Sequence, residues 1–327
     1  MPIPAILTSG LKLPVIASPM FLTSGPDLVI ACCNAGIIGT FPALNQRSSE
    51  GFDEWLSLIR NGIAPGAAPF GVNLIVHKTN PRVAADLALC AKHRVPVIIT
   101  SLGAATEVVD AVHGYGGVVF HDVTTAKHAR KAAEAGVDGL ILVTAGAGGH
   151  AGTTNPFALM AEVREFFKGT IILAGCISTG GDVAAAQMMG ADLAYMGTRF
   201  IATRESMASD PNKRMIVEAG SADILYTPAI SSIAANFLRA SIVAAGLDPD
   251  KLAPPAGIDL SHITEPYKKE NLGEHQKAWR DIWSAGQGVA GIHDIPATAD
   301  LVSRLREEYA HRVGAFRAAS APFCESK

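Results

Sequence analysis

The chain has 327 residues, 49% of them hydrophobic and 17% charged, enough apolar material for one large domain or two. Its formal net charge of −3 excludes the strongly basic balance of a nucleic-acid binder. Five cysteines without a C-x-x-C pair exclude an ordinary zinc site and fit reduced thiols in a cytoplasmic enzyme.

The N-terminal stretch "MPIPAILTSGLKLPVIASPM" has no basic start and is broken by prolines and Gly10, so no signal peptide is expected. Short apolar runs then recur: "VIASPM" (15–20), "GIIGTF" (36–41), "FGVNLI" (70–75), "PVIITS" (96–101), "VVFHDV" (118–123), "GLILVT" (139–144), "TIILAG" (170–175) and "LAYMGT" (193–198). Most of the segments between them place apolar residues three and four apart, as in "PDLVIACCNA" and "GFDEWLSLIR", the spacing of amphipathic helices. Continuous apolar strands alternating with helices predict a parallel sheet covered on both faces. Eight such units predict an α/β fold, a closed (β/α)8 TIM barrel; a doubly wound open sheet is the rival. Polar or glycine residues end the runs: Pro19 and Met20, Asn73, Ser101, His121 and Asp122, Gly175, and Gly197 with Thr198. In a barrel all these ends open on one face, where active sites lie.

After residue 205 the alternation stops. "PNKRMIVEAGSADILYT" and "ISSIAANFLRASIVAAG" read as helical, and Arg239 in the middle of the second argues against a membrane span. "LDPDKLAPPAGIDLSHITEP" reads as a loop, "NLGEHQKAWRDIWSAG" as helix, and "PATADLVSRLREEYAHRVGAF" as a terminal amphipathic helix. The basic residues of "YKKENLGEHQKAWR" alternate with acids and suit a solvated face. The expected organisation is a barrel over 1–205 plus 286–318, an inserted smaller helical lobe over 206–285 on the substrate side, and a frayed tail over 319–327.

Two stretches carry chemistry. "AGCISTGGD" after the seventh run and "YMGTRF" after the eighth stand where barrels commonly bind a phosphate. In "TAGAGGHAGTTNPF" (144–157), after the sixth run, His150 is the one titratable side chain on a glycine-rich segment. An imidazole there is suited to take a proton from an acidic carbon.

"ASPM", "FGVNL", "GGHAG", "AGCISTGGD", "MGTRF" and "SAGQGVAGIHD", in that order over about residues 14–315, resemble the nitronate monooxygenase (2-nitropropane dioxygenase) family. The resemblance implies FMN at the barrel mouth. Pro19 and Met20 would lie beside the isoalloxazine, Asn73 would hydrogen-bond it, and Gly148 and Gly149 would let backbone approach it. Gly175, Cys176, Ile177, Gly197 and Thr198 would hold the phosphate, and Gln287 and Gly288 would return to touch the flavin. His150 would act as base toward a nitroalkane or as hydrogen-bond donor to a nitronate. The implied reaction is oxidation of alkyl nitronates by O2 to a carbonyl compound and nitrite. An NAD(P)H-dependent reductase of quinones or enoyl thioesters on the same scaffold is the alternative, and a flavin-free barrel lyase or isomerase is a more distant one. His77, Ser101, His121 and Asp122 are substrate-pocket candidates, with a structural hydrogen bond as the competing role for the last two. The family usually carries Gln and Glu before the histidine's glycines, and a third glycine where Cys176 stands; this chain departs at both. A small-molecule substrate, no nucleic acid, no membrane and a homodimer through the lobe complete the expectation.

Overall fold

The computed structural model describes residues 3–77, 79–103, 106–253 and 280–324. Eight parallel strands close a barrel: β1 (Val15–Ala17), β2 (Ile38–Pro42), β3 (Phe70–Ile75), β4 (Val97–Ser101), β5 (Val118–Val123), β6 (Gly139–Val143), β8 (Thr170–Ala174) and β9 (Leu193–Met196), in that order. Closure is made by β9 against β1, with Ile16 opposite Tyr195. Seven of the eight apolar runs contain one of these strands and the other, 36–41, stops one residue short of the end of β2; the open-sheet rival is excluded.

A strand buried on both faces cannot alternate apolar with polar, which is why the runs are continuous. Ile16, Ile38, Val97, Ile99, Phe120, Ile141, Ile172 and Leu193 fill the barrel, with Leu7 from α1 (Ala5–Thr8) joining them. The alternate residues, such as Val72, Ile98, Val119, Leu140 and Ile171, pack outward on the helices. Those helices are α2 (Pro26–Ala35), α3 (Ser49–Gly62), α4 (Val83–Lys92), α5 (Thr106–Gly114), α6 (Ala126–Glu134), α7 (Pro156–Phe166) and α8 (Gly180–Met188). Their starts follow local chemistry: the side chains of Ser48, Thr125, Asn155 and Thr179 each accept an amide of the first turn. A short α9 (Thr198–Ile201) follows β9, and α10 (Asp210–Glu218) begins the lobe.

The lobe departs from the helical expectation. Ile224–Thr227 is strand β10 and Ala235–Leu238 is β11; only Arg239–Ala244 of the second apolar stretch is helix, α11. These strands form an antiparallel sheet, β10-β11-β7, with β7 (Gly149–His150) supplied by the histidine segment. Helical spacing in "ISSIAANFLRASIVAAG" yields to pairing with two remote segments, which satisfies backbone that a helix would leave unmatched at the cavity. The 254–279 region, carrying most of the expected loop, basic cluster and helix, lies outside the described residues. Residues 319–324, expected to fray, continue the terminal helix α12 (Thr298–Cys324) into solvent. The alanines there favour helix, and Pro322 falls only at its last turn. Among the described residues no helix is long and apolar enough to cross a membrane.

Candidate active site

A cavity of about 990 Å³ opens at the C-terminal ends of the barrel strands. Pro19, Met20, Asn73, His77, Ser101, His121, Asp122, Gly148, Gly149, His150, Gly175, Cys176, Ile177, Gly197, Thr198 and Gly288 all line it. Gln287 is not among the lining residues. It is exposed, its amide donates to the Gly146 carbonyl at 2.8 Å, and its side chain rests beside Gly146. Tyr195, Tyr226, Trp283 and Ser284 also face the cavity and were not singled out. Tyr195 was within reach of the sequence, being two residues before Gly197 and in register with the inward-facing Ile16. The lobe residues were not, since their placement depends on pairing.

His150 stands on a backbone held at many points. It pairs across from Ala235, and Gly149 from Asn236. The Asn236 side-chain amide donates to the Ala147 carbonyl at 2.6 Å, and the Gly149 amide donates to Ser284 Oγ at 2.6 Å. Ser284 Oγ in turn donates to the Asn236 carbonyl, and the Tyr226 hydroxyl donates to the Ala151 carbonyl. The glycines serve different purposes. At Gly149 a Cβ would meet open space, but its φ of +72° is the left-handed region that suits glycine. At Gly148 a Cβ would sit 3.0 Å from the Gly286 nitrogen and 3.2 Å from Thr198 Oγ1. So Gly148 admits the C-terminal segment, not a ligand. Gly152 likewise packs on Val143 and Thr124.

The phosphate expectation is narrowed. The start of α8 is already taken: Asp182 accepts the amides of Ser178 and Thr179, and Glu308 from α12 accepts that of Gly180 at 2.7 Å. A Cβ on Gly180 would collide with the Leu305 carbonyl, so this turn faces α12 and not the cavity. The amides of Cys176, Ile177, Gly197 and Thr198 have no protein acceptor among the described residues, and all four residues line the cavity. Cys176 has φ +55°, a left-handed conformation that explains why glycine is usual there. The Thr198 hydroxyl accepts the Gly286 amide at 2.9 Å.

Alternation along β5 separates its two titratable residues. Phe120 fills the barrel and Val119 packs outward, so Asp122 faces in and His121 faces out. His121 Nδ1 lies 2.7 Å from Thr100 Oγ1, and burial, helped by His128, lowers its pKa to about 4. It is therefore neutral near pH 7. It is among the residues lining the cavity, as are His128 and Lys131 of α6. Asp122 accepts the Ser101 hydroxyl at 2.6 Å, and Ser101 accepts the Asn73 side-chain amide at 2.8 Å. Among the described residues the His77 ring makes a local contact, Nδ1 to Thr79 Oγ1 at 2.8 Å.

The family model described as nitronate monooxygenase matches residues 5–308. A nitronate monooxygenase of Paraburkholderia phytofirmans is 26% identical, the match covering 91% of this chain and 93% of that protein. A Mycobacterium tuberculosis protein named (3aS,4S,5R,7aS)-5-hydroxy-7a-methyl-1-oxo-octahydro-1H-indene-4-carboxyl-CoA dehydrogenase is 31% identical over 72% of this chain, which spans 65% of that relative's length. The solved nitroalkane oxidase of Streptomyces ansochromogenes superposes with a TM-score of 0.79 at 26% identity, covering 95% of this chain and all of that one. FabK from Thermotoga maritima, at 24% identity and a TM-score of 0.78 over 96% and 97% of the two chains, shares the fold. A barrel whose strand ends gather His150 and four open amides, matched over nearly its whole length, belongs to the nitronate monooxygenase family of flavin-dependent oxidoreductases.

Proposed function

We propose that this protein is an FMN-dependent nitronate monooxygenase that oxidises alkyl nitronates with O2 to a carbonyl compound and nitrite. The observation that carries this reading is the position of His150, on a backbone pinned by Ala235 and Asn236, in the wall of the cavity that Cys176, Ile177, Gly197 and Thr198 also line.

The residues present fit the cofactor. Open amides at Cys176, Ile177, Gly197 and Thr198 suit a phosphate's oxygens. The half-buried Pro19 and Met20 offer an apolar face to a flat ring, and Asn73, whose amide donates to Ile99 and Ser101, offers its side-chain carbonyl oxygen. Gly175 has φ +128°, and a Cβ there would lie 2.5 Å from Thr144 Oγ1, so glycine at this strand end is required by the protein's own packing. Gly288 brings the C-terminal segment onto the same loop, where its carbonyl accepts the Ser178 hydroxyl at 2.8 Å; Gln287 beside it stays at the rim. When bound, FMN supplies the redox chemistry, accepting electrons from the substrate carbon and delivering them to O2.

His150 takes the proton of a neutral nitroalkane, or donates a hydrogen bond to the oxygens of a nitronate that has already lost it. Backbone pairing to Ala235 fixes where the residue stands in the cavity wall.

A second reading, a flavin oxidoreductase of a bulkier acyl thioester, is favoured by the cavity's volume of about 990 Å³ and by a lining that includes His121, His128 and Lys131. A small nitronate does not need that space, and the mycobacterial relative is named for such a thioester.

Anaerobic mixing of the holoenzyme with propionate 3-nitronate, ethylnitronate, NADH and NADPH separates the readings. Flavin bleaching by the nitronates alone supports monooxygenase chemistry. Bleaching by a reduced nicotinamide, with none from nitronates, overturns it in favour of a reductase.

A further inference from the structure

Asp122 is a carboxyl group inside the barrel for which the proposed chemistry has no use. It stands level with Ser101 on β4, and Asn73 on β3 lies one inward layer deeper. The three side chains form a directed chain: the Asn73 amide donates to Ser101 Oγ at 2.8 Å, and the Ser101 hydroxyl donates to Asp122 Oδ2 at 2.6 Å. Asn73 is anchored by a second donation, to the Ile99 carbonyl at 3.2 Å. Donation from Asn73 commits the Ser101 proton to Asp122, so the carboxyl is oriented as well as held.

The other oxygen, Oδ1, is buried and has no hydrogen-bond partner among the described residues. Asp122 nevertheless lines the cavity. A carboxylate buried beside apolar strands costs several kcal/mol unless paired. No cation among the described residues makes an ion pair with it. The titratable groups that share its surroundings are few. From β9 comes Tyr195, whose phenol is pushed up by burial and then by the Asp122 charge. His150 and His77 lie on other parts of the wall, and His121 faces the opposite side of the strand. Among the described residues nothing there forms an ion pair that would compensate a negative charge. Burial accordingly raises the Asp122 pKa to about 6, against the lowering effect of Ser101.

We propose that Asp122 is a flavin-facing acid: protonated, it donates a hydrogen bond through Oδ1 to the polar edge of the bound isoalloxazine, and Ser101 and Asn73 are the residues that position it. The ring's affinity for electrons then depends on whether Asp122 holds its proton. A neutral donor favours the electron-rich reduced ring, and a carboxylate at the same place disfavours it. The proposal rests on the flavin reading above and adds a second titrating group to the site, separate from His150.

The test uses the flavin-loaded protein and reads the flavin itself. The visible spectrum and midpoint potential are followed from pH 5 to pH 8 in wild type, Asp122→Asn and Ser101→Ala. Wild type is expected to show an inflection near pH 6, with the potential falling more steeply as Asp122 ionises. Asp122→Asn should lose that inflection while His150 is untouched. Ser101→Ala should move it to higher pH, because the hydrogen bond that stabilises the carboxylate is gone; a merely structural role would not move it. Identical pH dependence in all three proteins overturns the proposal and leaves the flavin reading standing. If Asp122→Asn does not fold, the direction of the Ser101→Ala shift decides alone, and no shift overturns it. A protein that takes up no flavin overturns both.

Discussion

His150 is paired in antiparallel register with Ala235, a residue from the far side of the inserted lobe. The segment that follows the sixth barrel strand is thus an edge of a three-stranded sheet completed by β10 and β11. The position of the histidine over the cavity depends on the lobe as much as on the barrel.

Because backbone pairing to Ala235 and Asn236 holds this segment, His150→Asn should keep its flavin. Turnover of neutral nitroalkanes should fall by ~10²–10⁴-fold, the usual worth of a general base. Turnover of a preformed nitronate should fall far less, since its proton is already gone and asparagine still donates. Steady-state rates with both protonation forms of one nitroalkane check this. Equal losses would make His150 a positioning residue.

Asn236 is 3% exposed, and its amide is the partner of the Ala147 carbonyl. In Asn236→Ala that carbonyl loses its donor in a buried place, at a cost of about 1–3 kcal/mol. Urea unfolding should show the loss, and nitronate turnover should fall with it because the histidine segment loosens. An unchanged unfolding midpoint would mean that water replaces the amide.

Gly197 has φ −102°, which any residue adopts, so glycine is there for space. A Cβ would lie 2.6 Å from Ser18 Oγ, across the seam where β9 meets β1. Gly197→Val should weaken FMN retention and, by overpacking, cost about 1–3 kcal/mol. In the smaller Gly197→Ala, adding Ser18→Ala should recover much of the loss. Flavin dissociation constants and unfolding curves for the double-mutant cycle measure that coupling. Strictly additive effects would place the crowding elsewhere.

His121 and Asp122 pull stability in opposite directions with pH. Folding lowers His121 from 6.5 to about 4, so its contribution is present above pH 6.5 and is lost as pH falls toward 4. Folding raises Asp122 from 3.8 to about 6, so its contribution is present below 3.8 and is lost as pH rises toward 6. In His121→Gln the acid-side loss, up to about 3 kcal/mol, should vanish, leaving a curve that declines from pH 4 to pH 6. Unfolding free energies at several pH values test this. A variant curve parallel to wild type would locate the acid sensitivity in another group.

Much of the barrel was legible residue by residue. Each run from "VIASPM" to "LAYMGT" matches its strand to within a residue or a few at the ends, and "PDLVIACCNA" is α2 from end to end. Continuous apolar runs, helical spacing and capping side chains such as Thr179 act within a few residues, so they are written locally. The convergence of His150 with Cys176 and Gly197 followed from the barrel, since closure brings strand ends together.

Other features were decided only by the tertiary structure. "ANFL" at 235–238 reads as helix until it meets Gly149 and His150 on one side and Ile224–Thr227 on the other. The turn "STGGD" reads as an anion site until Glu308, far along the chain, takes the Gly180 amide. Gly148 reads as room for a ligand until it is found against Gly286, the Gly148 nitrogen lying 2.7 Å from a Cβ on Gly286. In each case the deciding partner is remote in sequence, and a backbone group goes to whichever acceptor, donor or neighbour the packed core brings within reach. Local pattern determined which residues form strands and helices; long-range pairing determined which of their free groups remained for chemistry.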